Sequence, residues 1–270
     1  MMEPLQSEDT NLVTDGQEPA RGKALLKSSV DIVIPVLDEE KRLPESLEIL
    51  LSFLSTELFF DWKVIIADNG SLDRTPEIAR AFCKKSPNFD YFRIEDRGRG
   101  RILKRVWYQS SADILSYMDV DLSTNLKYLP LLIEGIRTGY DVAIGSRLMQ
   151  ASRIKRSIKR EILSQTYNSL VRCLFFNRFS DAQCGFKAIR RDVFLKFAPF
   201  IQDEHWFFDT ELLLLAEKNG YRIFEIPVEW TEDLDSRVKI LKTAWSDVKG
   251  LLRLRVQGVQ KPSLKQPKKM

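Results

Sequence analysis

The sequence predicts an α/β protein built on a doubly wound, mostly parallel sheet. Short apolar runs rich in Val and Ile alternate along the chain with longer segments whose leucines recur at helical spacing. The apolar runs lack the polar alternation of a half-exposed strand, which indicates strands covered by helices on both faces. Ligands bind such sheets at the carboxyl ends of the strands, so functional residues are expected there.

The individual elements follow from these two patterns. The β-branched residues at 30–35 predict a buried strand, and the leucines of 39–57 share one face of a helix. A helix at 74–84 is expected to begin after Asp73 as its N-cap, with Pro76 in its first turn. The other predicted elements are strands at 64–67, 91–94, 114–118, 142–144 and 223–228 and helices at 101–111 and 126–138.

The composition is that of a globular protein. The 270 residues are 44% hydrophobic and 30% charged, which excludes a disordered or collagen-like chain. We expect a single domain at 29–256, a flexible tail at 1–28 and a basic tail at 257–270. No apolar run reaches the roughly 18 residues of a spanning helix, and residues 1–20 are too acidic and polar for a signal peptide.

Cysteine, histidine and charge counts exclude several function classes. Three widely spaced cysteines predict neither a disulfide framework nor a zinc site and fit a reducing compartment. The single histidine, His205, excludes a histidine-rich metal centre. The net charge of +4 is modest, so nucleic acid is not expected as a partner. Carboxylates and cations are therefore expected to carry the chemistry.

Three of the first four predicted strands end in carboxylates. Asp38 and Glu39 follow the first strand, Asp68 the second, and Asp119 and Asp121 the fourth. Carboxylates gathered at one sheet edge repel one another unless a cation or a hydrogen-bond donor is bound there. Asp119 and Asp121 could hold one Mg²⁺ or Mn²⁺ that bridges the phosphates of a nucleotide. The alternative is a helix-capping aspartate with a solvated neighbour.

Basic and turn residues are predicted at the same edge. Residues 97–101 alternate Arg and Gly and enter a helix, whose N-terminus favours phosphate; a flexible basic loop is the alternative. Arg147 follows the fifth strand and adds another guanidinium. Asp68 precedes the turn sequence 69–71, where it could accept a hydrogen bond from a nucleobase or only stabilise the turn.

Four motifs stand in a fixed order along the chain: IPVLDEE at 34–40, ADNGS at 67–71, DVD at 119–121 and GSR at 145–147. Together they resemble family 2 glycosyltransferases of the GT-A fold. The segments DAQCGFK at 181–187 and FDTEL at 208–212 resemble the polyprenyl-phosphate branch, which includes dolichyl-phosphate glucosyltransferases and mannose synthases. The resemblance spans about residues 30–254, so the whole predicted domain is expected to have this fold.

The resemblance implies a role for each candidate residue. The residues expected to bind a nucleotide sugar are Pro35, Glu39, Asp68, Arg99 and Asp119. The residues expected to hold Mg²⁺ or Mn²⁺ are Asp119 and Asp121. The residues expected at the acceptor phosphate are Arg147, Arg237 and Lys239. The residues expected around the reacting centre, where the sugar is displaced with inversion, are Asp181, Gln183 and Asp209.

Two positions depart from the family pattern and leave the choice of donor open. Asp38 stands where the first motif usually carries Asn, and Arg99 stands where Lys usually lies between the glycines. The role of Asp209 is open as well. A lipid monophosphate has its second pKa near 6, so it is already a nucleophile at neutral pH and needs no base. Asp209 is then expected to act electrostatically or structurally rather than as a proton acceptor.

Two basic segments predict amphipathic helices. Residues 153–178 contain seven basic residues and one acidic residue, and residues 237–255 contain six and one. Both carry apolar stripes at helical spacing, which suit either a membrane interface or packing on the sheet. We expect a peripheral protein on the cytoplasmic face of a membrane, with a separate membrane protein as a possible partner.

The expected reaction moves a hexose from a nucleotide diphosphate sugar to a polyprenyl or dolichyl phosphate. UDP-glucose is the first expected donor and GDP-mannose the second, both by resemblance. A glycosyltransferase of the same fold with a small soluble hydroxyl acceptor is one alternative. A non-catalytic nucleotide- or membrane-binding protein on this scaffold is another.

Overall fold

The computed structural model describes residues 28–58, 60–232 and 240–260 of the chain. Its centre is a seven-stranded sheet, and two further strands form a second sheet. The predicted α/β class with a doubly wound, mostly parallel sheet is confirmed.

The predicted strands and helices occur in the predicted order, and the structure adds further ones that the sequence analysis did not predict. The strands are β1 (Val30–Val36), β2 (Trp62–Asp68), β3 (Phe89–Arg93), β4 (Ile114–Met118), β5 (Val142–Ser146), β6 (Arg153–Lys155), β7 (Phe186–Arg190), β8 (Ile223–Pro227) and β9 (Glu229–Thr231). The α-helices are α1 (Leu43–Glu57), α2 (Thr75–Lys85), α3 (Arg99–Gln109), α4 (Leu129–Arg137), α5 (Ile158–Phe175), α6 (Arg191–Phe197), α7 (Phe208–Lys218) and α8 (Ile240–Gln257).

The strand order of the main sheet is β3-β2-β1-β4-β7-β5-β8, and β6 and β9 form the small sheet. Strand β7 is the antiparallel member of the main sheet. It pairs antiparallel with both β4 and β5, whereas the other pairings within that sheet are parallel. The sequence analysis missed this strand because Lys187 interrupts its apolar run, although that lysine is buried. Because β7 lies between β4 and β5, the loop before it reaches the carboxyl end of β4. There the backbone N–H of Asp119 donates to the Gly185 carbonyl.

Helices cover both faces of the sheet, as the unbroken apolar strands predict. Helices α1, α2 and α4 pack with one set of core residues, and α3, α5, α6, α7 and α8 pack with the other. Trp107 of α3 is fully buried in the second set, where its ring meets those of Tyr117, Phe194 and Phe208. The two cores fix the strands, so the loops at their carboxyl ends rest on a rigid base.

Several predicted boundaries shift by a few residues. Helix α1 begins at Leu43 rather than 39, because the chain turns before Pro44 fixes the first helical turn. Asp73 is not the N-cap of α2 but lies one residue earlier, where its Oδ1 accepts the Thr75 backbone N–H at 2.9 Å. The basic segment starting at residue 153 opens with strand β6 before it becomes helical.

The predicted tails at 1–28 and 257–270 fall mostly outside the described residues, so the flexibility expected of the first tail stays a prediction. Arg237 and Lys239 also lie outside the described residues. Within the ranges the structure describes, no helix combines the length and apolar character needed to cross a bilayer.

Candidate active site

The loops after β1 and β2 are tied to each other by reciprocal hydrogen bonds. The backbone N–H of Asp38 donates to Ser71 Oγ at 2.9 Å, and that of Glu39 donates to Thr75 Oγ1 at 2.7 Å. In return, Asp38 Oδ1 accepts the Leu72 N–H at 2.6 Å. Asp38 adopts φ 54°, a left-handed conformation that Asp tolerates better than most residues. The first two motifs therefore form one connected wall.

Asp68 is buried beneath this wall. Its Oδ1 accepts the Ser71 N–H at 2.8 Å, and its Oδ2 accepts from Tyr91 at 2.6 Å and from Arg93 at 2.7 Å. Burial raises the pKa of Asp68, but the hydrogen bonds from Ser71, Tyr91 and Arg93 outweigh it and hold that pKa below its usual value. Asp68 fixes the turn in this structure, and its contact with a nucleobase stays a prediction.

Pro35 lies opposite Ala67 in the pairing of β1 with β2, one residue before the pair that contains Asp68. Glu39 lies in the loop directly after β1, with its backbone held by Thr75. The predicted residues of the nucleotide-sugar pocket therefore do come together at adjacent strand ends. This follows from parallel pairing, which aligns the carboxyl ends of β1 and β2.

Asp119 and Asp121 lie directly after β4, as predicted. The Asp119 side chain is 36% exposed, and Asp121 Oδ1 accepts the Ser123 N–H at 3.0 Å. Gly185 packs so closely on Asp119 that a Cβ at that glycine would fall 1.9 Å from Asp119 Oδ2. No cluster of three or more metal-ligating side chains occurs among the described residues. The pair suits Mg²⁺ or Mn²⁺ because such ions are held by one or two carboxylates plus substrate phosphates.

Arg99 contacts the same carboxylate. Its Nη2 lies 2.5 Å from Asp119 Oδ1, and its guanidinium lies 4.7 Å from the Trp206 ring centroid and 5.3 Å from that of Tyr117. Its Nε is buried and has no hydrogen-bond partner within the described part of the chain. Arg99 is therefore placed beside the predicted diphosphate site by aromatic stacking and by charge.

The glycines of 97–101 serve a different purpose from the one predicted. The N–H groups of Gly100 and Arg101 donate to the carbonyls of His205 and Glu204, so this helix N-terminus already has acceptors. A Cβ at Gly98 would lie 2.6 Å from the Glu204 carbonyl oxygen. The glycines allow close packing of α3 against the segment before α7. The N–H groups of Gly100 and Arg101 are already paired, and a phosphate site at this helix N-terminus stays a prediction.

Arg147 and Asp181 form a buried bidentate pair. Arg147 Nε and Nη2 donate to the two oxygens of Asp181 at 2.7 and 2.9 Å. Burial would raise the pKa of Asp181, but the charge and hydrogen bonds of Arg147 lower it to about 2. The structure thus joins a residue predicted for the acceptor phosphate to one predicted at the reacting centre. The Arg147 guanidinium carbon lies over the Trp230 ring, 5.7 Å from its centroid.

Asp209 lies at the start of α7 in a second buried pair. Lys187 Nζ is 3.2 Å from Asp209 Oδ1, and the Tyr117 hydroxyl donates to the same oxygen. Burial and the Asp209 carboxylate raise the pKa of Tyr117 well above its ordinary value, so that hydroxyl stays protonated. The sequence analysis did not single out Lys187; its signal was a charged residue inside an otherwise apolar motif.

Gln183 connects the loop before β7 to helix α8. Its backbone N–H donates to Asp181 Oδ1 at 3.0 Å, and its Nε2 donates to Asp247 Oδ2 at 2.8 Å. Helix α8 is also held by Arg253, whose Nη2 lies 2.7 Å from Glu211 Oε1 of α7. Sequence reasoning missed Asp247 because it reads as the lone acid of a basic helix.

The apolar stripes of α5 and α8 divide between the core and the surface. Tyr167, Val171, Phe175 and Leu251 are buried, so the packing interpretation is correct for them. The large apolar side chains left exposed on or beside the two helices are Ile158, Ile162, Leu163, Leu170, Phe176, Trp245, Leu252 and Val256. The two helices pack against each other, and exposed basic residues accompany these apolar groups.

The sheet, the Asp-x-Asp pair after β4 and the arginines gathered at the same edge together define a GT-A-fold glycosyltransferase, the class that acts on nucleotide diphosphate sugars. Comparison with known proteins identifies the family. The model of Glycosyl transferase family 2 matches residues 31–197, so the chain belongs to that family. The family and the fold implied by the sequence motifs are confirmed.

Curated relatives are similar over most of this chain. The glycosyltransferase AglD of Haloferax volcanii is 37% identical over 219 residues, which are 79% of this chain and 35% of AglD. Dolichyl-phosphate beta-glucosyltransferase of Saccharomyces cerevisiae is 30% identical over 247 residues, 84% of this chain and 74% of that protein. The human enzyme of the same name is 31% identical over 219 residues, which are 75% of this chain and 67% of the human protein. The chain thus spans about a third of AglD and most of the two others.

A solved structure confirms the fold. Glucosyl-3-phosphoglycerate synthase from Mycobacterium tuberculosis, in complex with Mn²⁺, UDP and phosphoglyceric acid, superposes with a TM-score of 0.65 and 19% identity. The match covers 87% of this chain and 80% of that one. At this identity the likeness extends to the fold alone.

Proposed function

We propose that this glycosyltransferase moves a hexose from a nucleotide diphosphate sugar to a polyprenyl phosphate such as dolichyl phosphate, with UDP-glucose as the donor. The observation that carries the proposal is the pair of contacts Arg99–Asp119 and Arg147–Asp181, which gather two cations and two carboxylates at one sheet edge. The names of the yeast and human relatives support the acceptor and the sugar.

Asp119 and Asp121 are the residues that would hold Mg²⁺ or Mn²⁺. When bound, the ion neutralises charge on the departing diphosphate. Arg99 lies against Asp119 and is placed to meet the phosphates from the protein side. The metal-bound structures of the Mycobacterium enzyme support this use of a divalent ion by the fold.

The acceptor phosphate needs cations more than it needs a base. A phosphate monoester is largely ionised at neutral pH and attacks the anomeric carbon directly, with inversion. The Asp209 carboxylate is already paired with the Lys187 ammonium and accepts a hydrogen bond from the Tyr117 hydroxyl. Such a carboxylate suits an electrostatic role rather than that of a proton acceptor. Arg147 is bonded to Asp181 of the reacting-centre motif, and Arg237 and Lys239 are proposed to join it at the acceptor phosphate.

We place the protein on the cytoplasmic face of a membrane, peripherally. The exposed apolar side chains of α5 and α8 stand among basic residues, as in helices that lie in a lipid interface. Each cation near an anionic surface adds on the order of 1 kcal/mol to binding. A polyprenyl phosphate would be met at this surface, and a separate membrane protein partner remains part of the proposal.

The test is a screen of two donors, each with and without the lipid acceptor. Radiolabelled UDP-glucose and GDP-mannose are incubated with Mg²⁺ or Mn²⁺, with and without dolichyl phosphate. Label from UDP-glucose that enters the organic phase only with dolichyl phosphate supports the proposal, and Asp121→Ala should abolish it. Label in water-soluble products alone would favour a soluble hydroxyl acceptor. Donor binding without any transfer would indicate a non-catalytic scaffold.

A further inference from the structure

Asp247 is a buried carboxylate that the proposed chemistry leaves unused. Only 1% of its surface is exposed, although it belongs to a basic helix at the protein surface. Its Oδ2 accepts a hydrogen bond from Gln183 Nε2 at 2.8 Å. Its Oδ1 is buried without a hydrogen-bond partner among the described residues. Such a group is costly to bury, so its retention calls for a physical reason.

The surroundings of Asp247 are acidic. The groups that act on it or feel its charge are Gln183 in the loop before β7, Asp203 before α7, Asp209 of α7 and Tyr167 of α5. Burial and the charges of Asp203 and Asp209 raise the pKa of Asp247 to about 7, against the opposing hydrogen bond from Gln183. The carboxyl can therefore hold or release a proton close to neutral pH.

Which atom of the Gln183 amide faces Asp247 depends on whether the Asp247 carboxyl carries a proton. A carboxylate only accepts, so in its ionised form Asp247 must face the amide nitrogen of Gln183. The backbone N–H of Gln183 is held by Asp181, so the residue is fixed at both ends. The remaining acceptor of the amide, Oε1, is then left for another partner. A protonated Asp247 could instead donate to Oε1 and leave the NH₂ group outward.

We propose that Asp247 is a positioning residue that orients the Gln183 amide so that its Oε1 accepts a hydrogen bond from a hydroxyl of the transferred sugar. An amide oxygen cannot bind a phosphate, which offers no proton when ionised, whereas a sugar hydroxyl donates readily. An Oε1 turned away from Asp247 in this way would bind a hexose hydroxyl and not the diphosphate. The inference rests on the proposed function for the presence of a hexose donor at Gln183.

The test compares single and double variants. Asp247→Asn keeps the shape but presents both a donor and an acceptor, so the amide orientation is no longer fixed. We expect Asp247→Asn and Gln183→Ala each to lower kcat/KM for UDP-glucose about tenfold, the worth of one hydrogen bond. The double variant should be no worse than Gln183→Ala alone, because the two residues act as a unit. Asp192→Asn, at an exposed ion pair with Arg190, is the matched control.

A second readout separates positioning from folding. UDP-deoxyglucoses, each lacking one hydroxyl, are compared with UDP-glucose in turnover and in binding by calorimetry. The wild type should discriminate against one of them about tenfold, and Asp247→Asn should lose that discrimination. The pH profile of the wild type should show an ionisation near 7 that Asp247→Asn lacks, while the ionisation of the acceptor phosphate remains in both.

Independent, multiplying effects of Asp247→Asn and Gln183→Ala would overturn the inference, because Asp247 would then act only by packing α8. Unchanged discrimination among the deoxy donors would overturn it as well. Failure of the proposed function looks different: no transfer to a polyprenyl phosphate, while calorimetry still shows the coupled loss of donor affinity. Transfer with uncoupled variants leaves the proposed function intact and removes this inference alone.

Discussion

At the scale of single residues, the site consists of paired charges. Arg99 faces Asp119, Arg147 faces Asp181, and Lys187 faces Asp209, with the last two pairs almost fully buried. Buried ions are tolerated because each has an opposite charge and hydrogen bonds beside it. Removal of one member leaves the other uncompensated, so these residues matter for stability as well as for chemistry.

The Arg147–Asp181 pair gives a stability prediction. Asp181→Asn leaves the Arg147 guanidinium in the interior without its carboxylate, so we expect a loss of about 3–5 kcal/mol in the free energy of unfolding. Urea unfolding followed by circular dichroism measures the change. The same substitution at exposed Asp192 should cost under about 1 kcal/mol. A comparably small loss at Asp181 would show that the pair is not structurally coupled.

Asp247 gives a prediction for the pH dependence of stability. Its pKa rises from the model-compound value of 3.8 to about 7 on folding, so the folded state holds the proton more tightly than the unfolded state. Its contribution is therefore full below about pH 4 and is lost as the pH rises through 7. Asp247→Asn should remove that part of the decline. Urea titrations between about pH 5 and pH 8 measure it, and an unchanged slope would contradict the raised pKa.

At the scale of elements, the loop before β7 shapes the proposed metal site. The antiparallel insertion of β7 brings Gly185 against Asp119, where there is no room for a Cβ. Gly185→Ala should push the Asp119 carboxylate aside and weaken Mn²⁺ binding about tenfold or more in the presence of UDP. Calorimetry measures the affinity, and Asp192→Asn, at an exposed ion pair with Arg190, is the control. Equal Mn²⁺ affinities would mean that Asp119 is not a ligand.

Helices α5 and α8 give a prediction about membrane binding. Trp245 and Leu252 are 63% and 54% exposed on α8. Replacing both by Ser should lower binding to anionic vesicles at least tenfold, because it removes two apolar anchors beside the basic residues. Vesicle flotation measures the binding, and UDP binding should not change. The control is Leu131→Ser on α4, which is 46% exposed on the other side of the sheet. Equal loss in both variants would refute a specific lipid-facing surface.

At the scale of the whole molecule, the sequence predicted the sheet and the placement of most candidate site residues. Because parallel strands align their carboxyl ends, Asp68 and Asp119 were expected to lie at the same edge of the sheet. The partners were not predictable, because they come from distant segments. Arg147 meets Asp181, and Asp247 meets Gln183, across 34 and 64 residues of sequence. No local pattern in the sequence encodes such contacts. Strand β7 was missed for a similar reason, because the partner of its buried Lys187 is the distant Asp209.

Helix α8 connects the exposed surface of the molecule to the candidate site. Helix α8 carries exposed apolar and basic residues on one side and reaches Gln183 and Glu211 through Asp247 and Arg253 on the other. A lipid-bound helix would therefore be anchored directly to the loop that holds the reacting-centre motif. This arrangement suits an acceptor whose phosphate enters from a membrane while the donor occupies the sheet edge.

The measurement that tests the central claim most directly is the structure of the product made from UDP-glucose and dolichyl phosphate. Mass spectrometry and proton NMR should show one hexose joined to the lipid through its single phosphate, with the anomeric configuration inverted from α to β. An α-linked product would contradict the direct displacement. A hexose on a hydroxyl group instead of the phosphate would contradict the acceptor, and with it the account of why this site gathers cations.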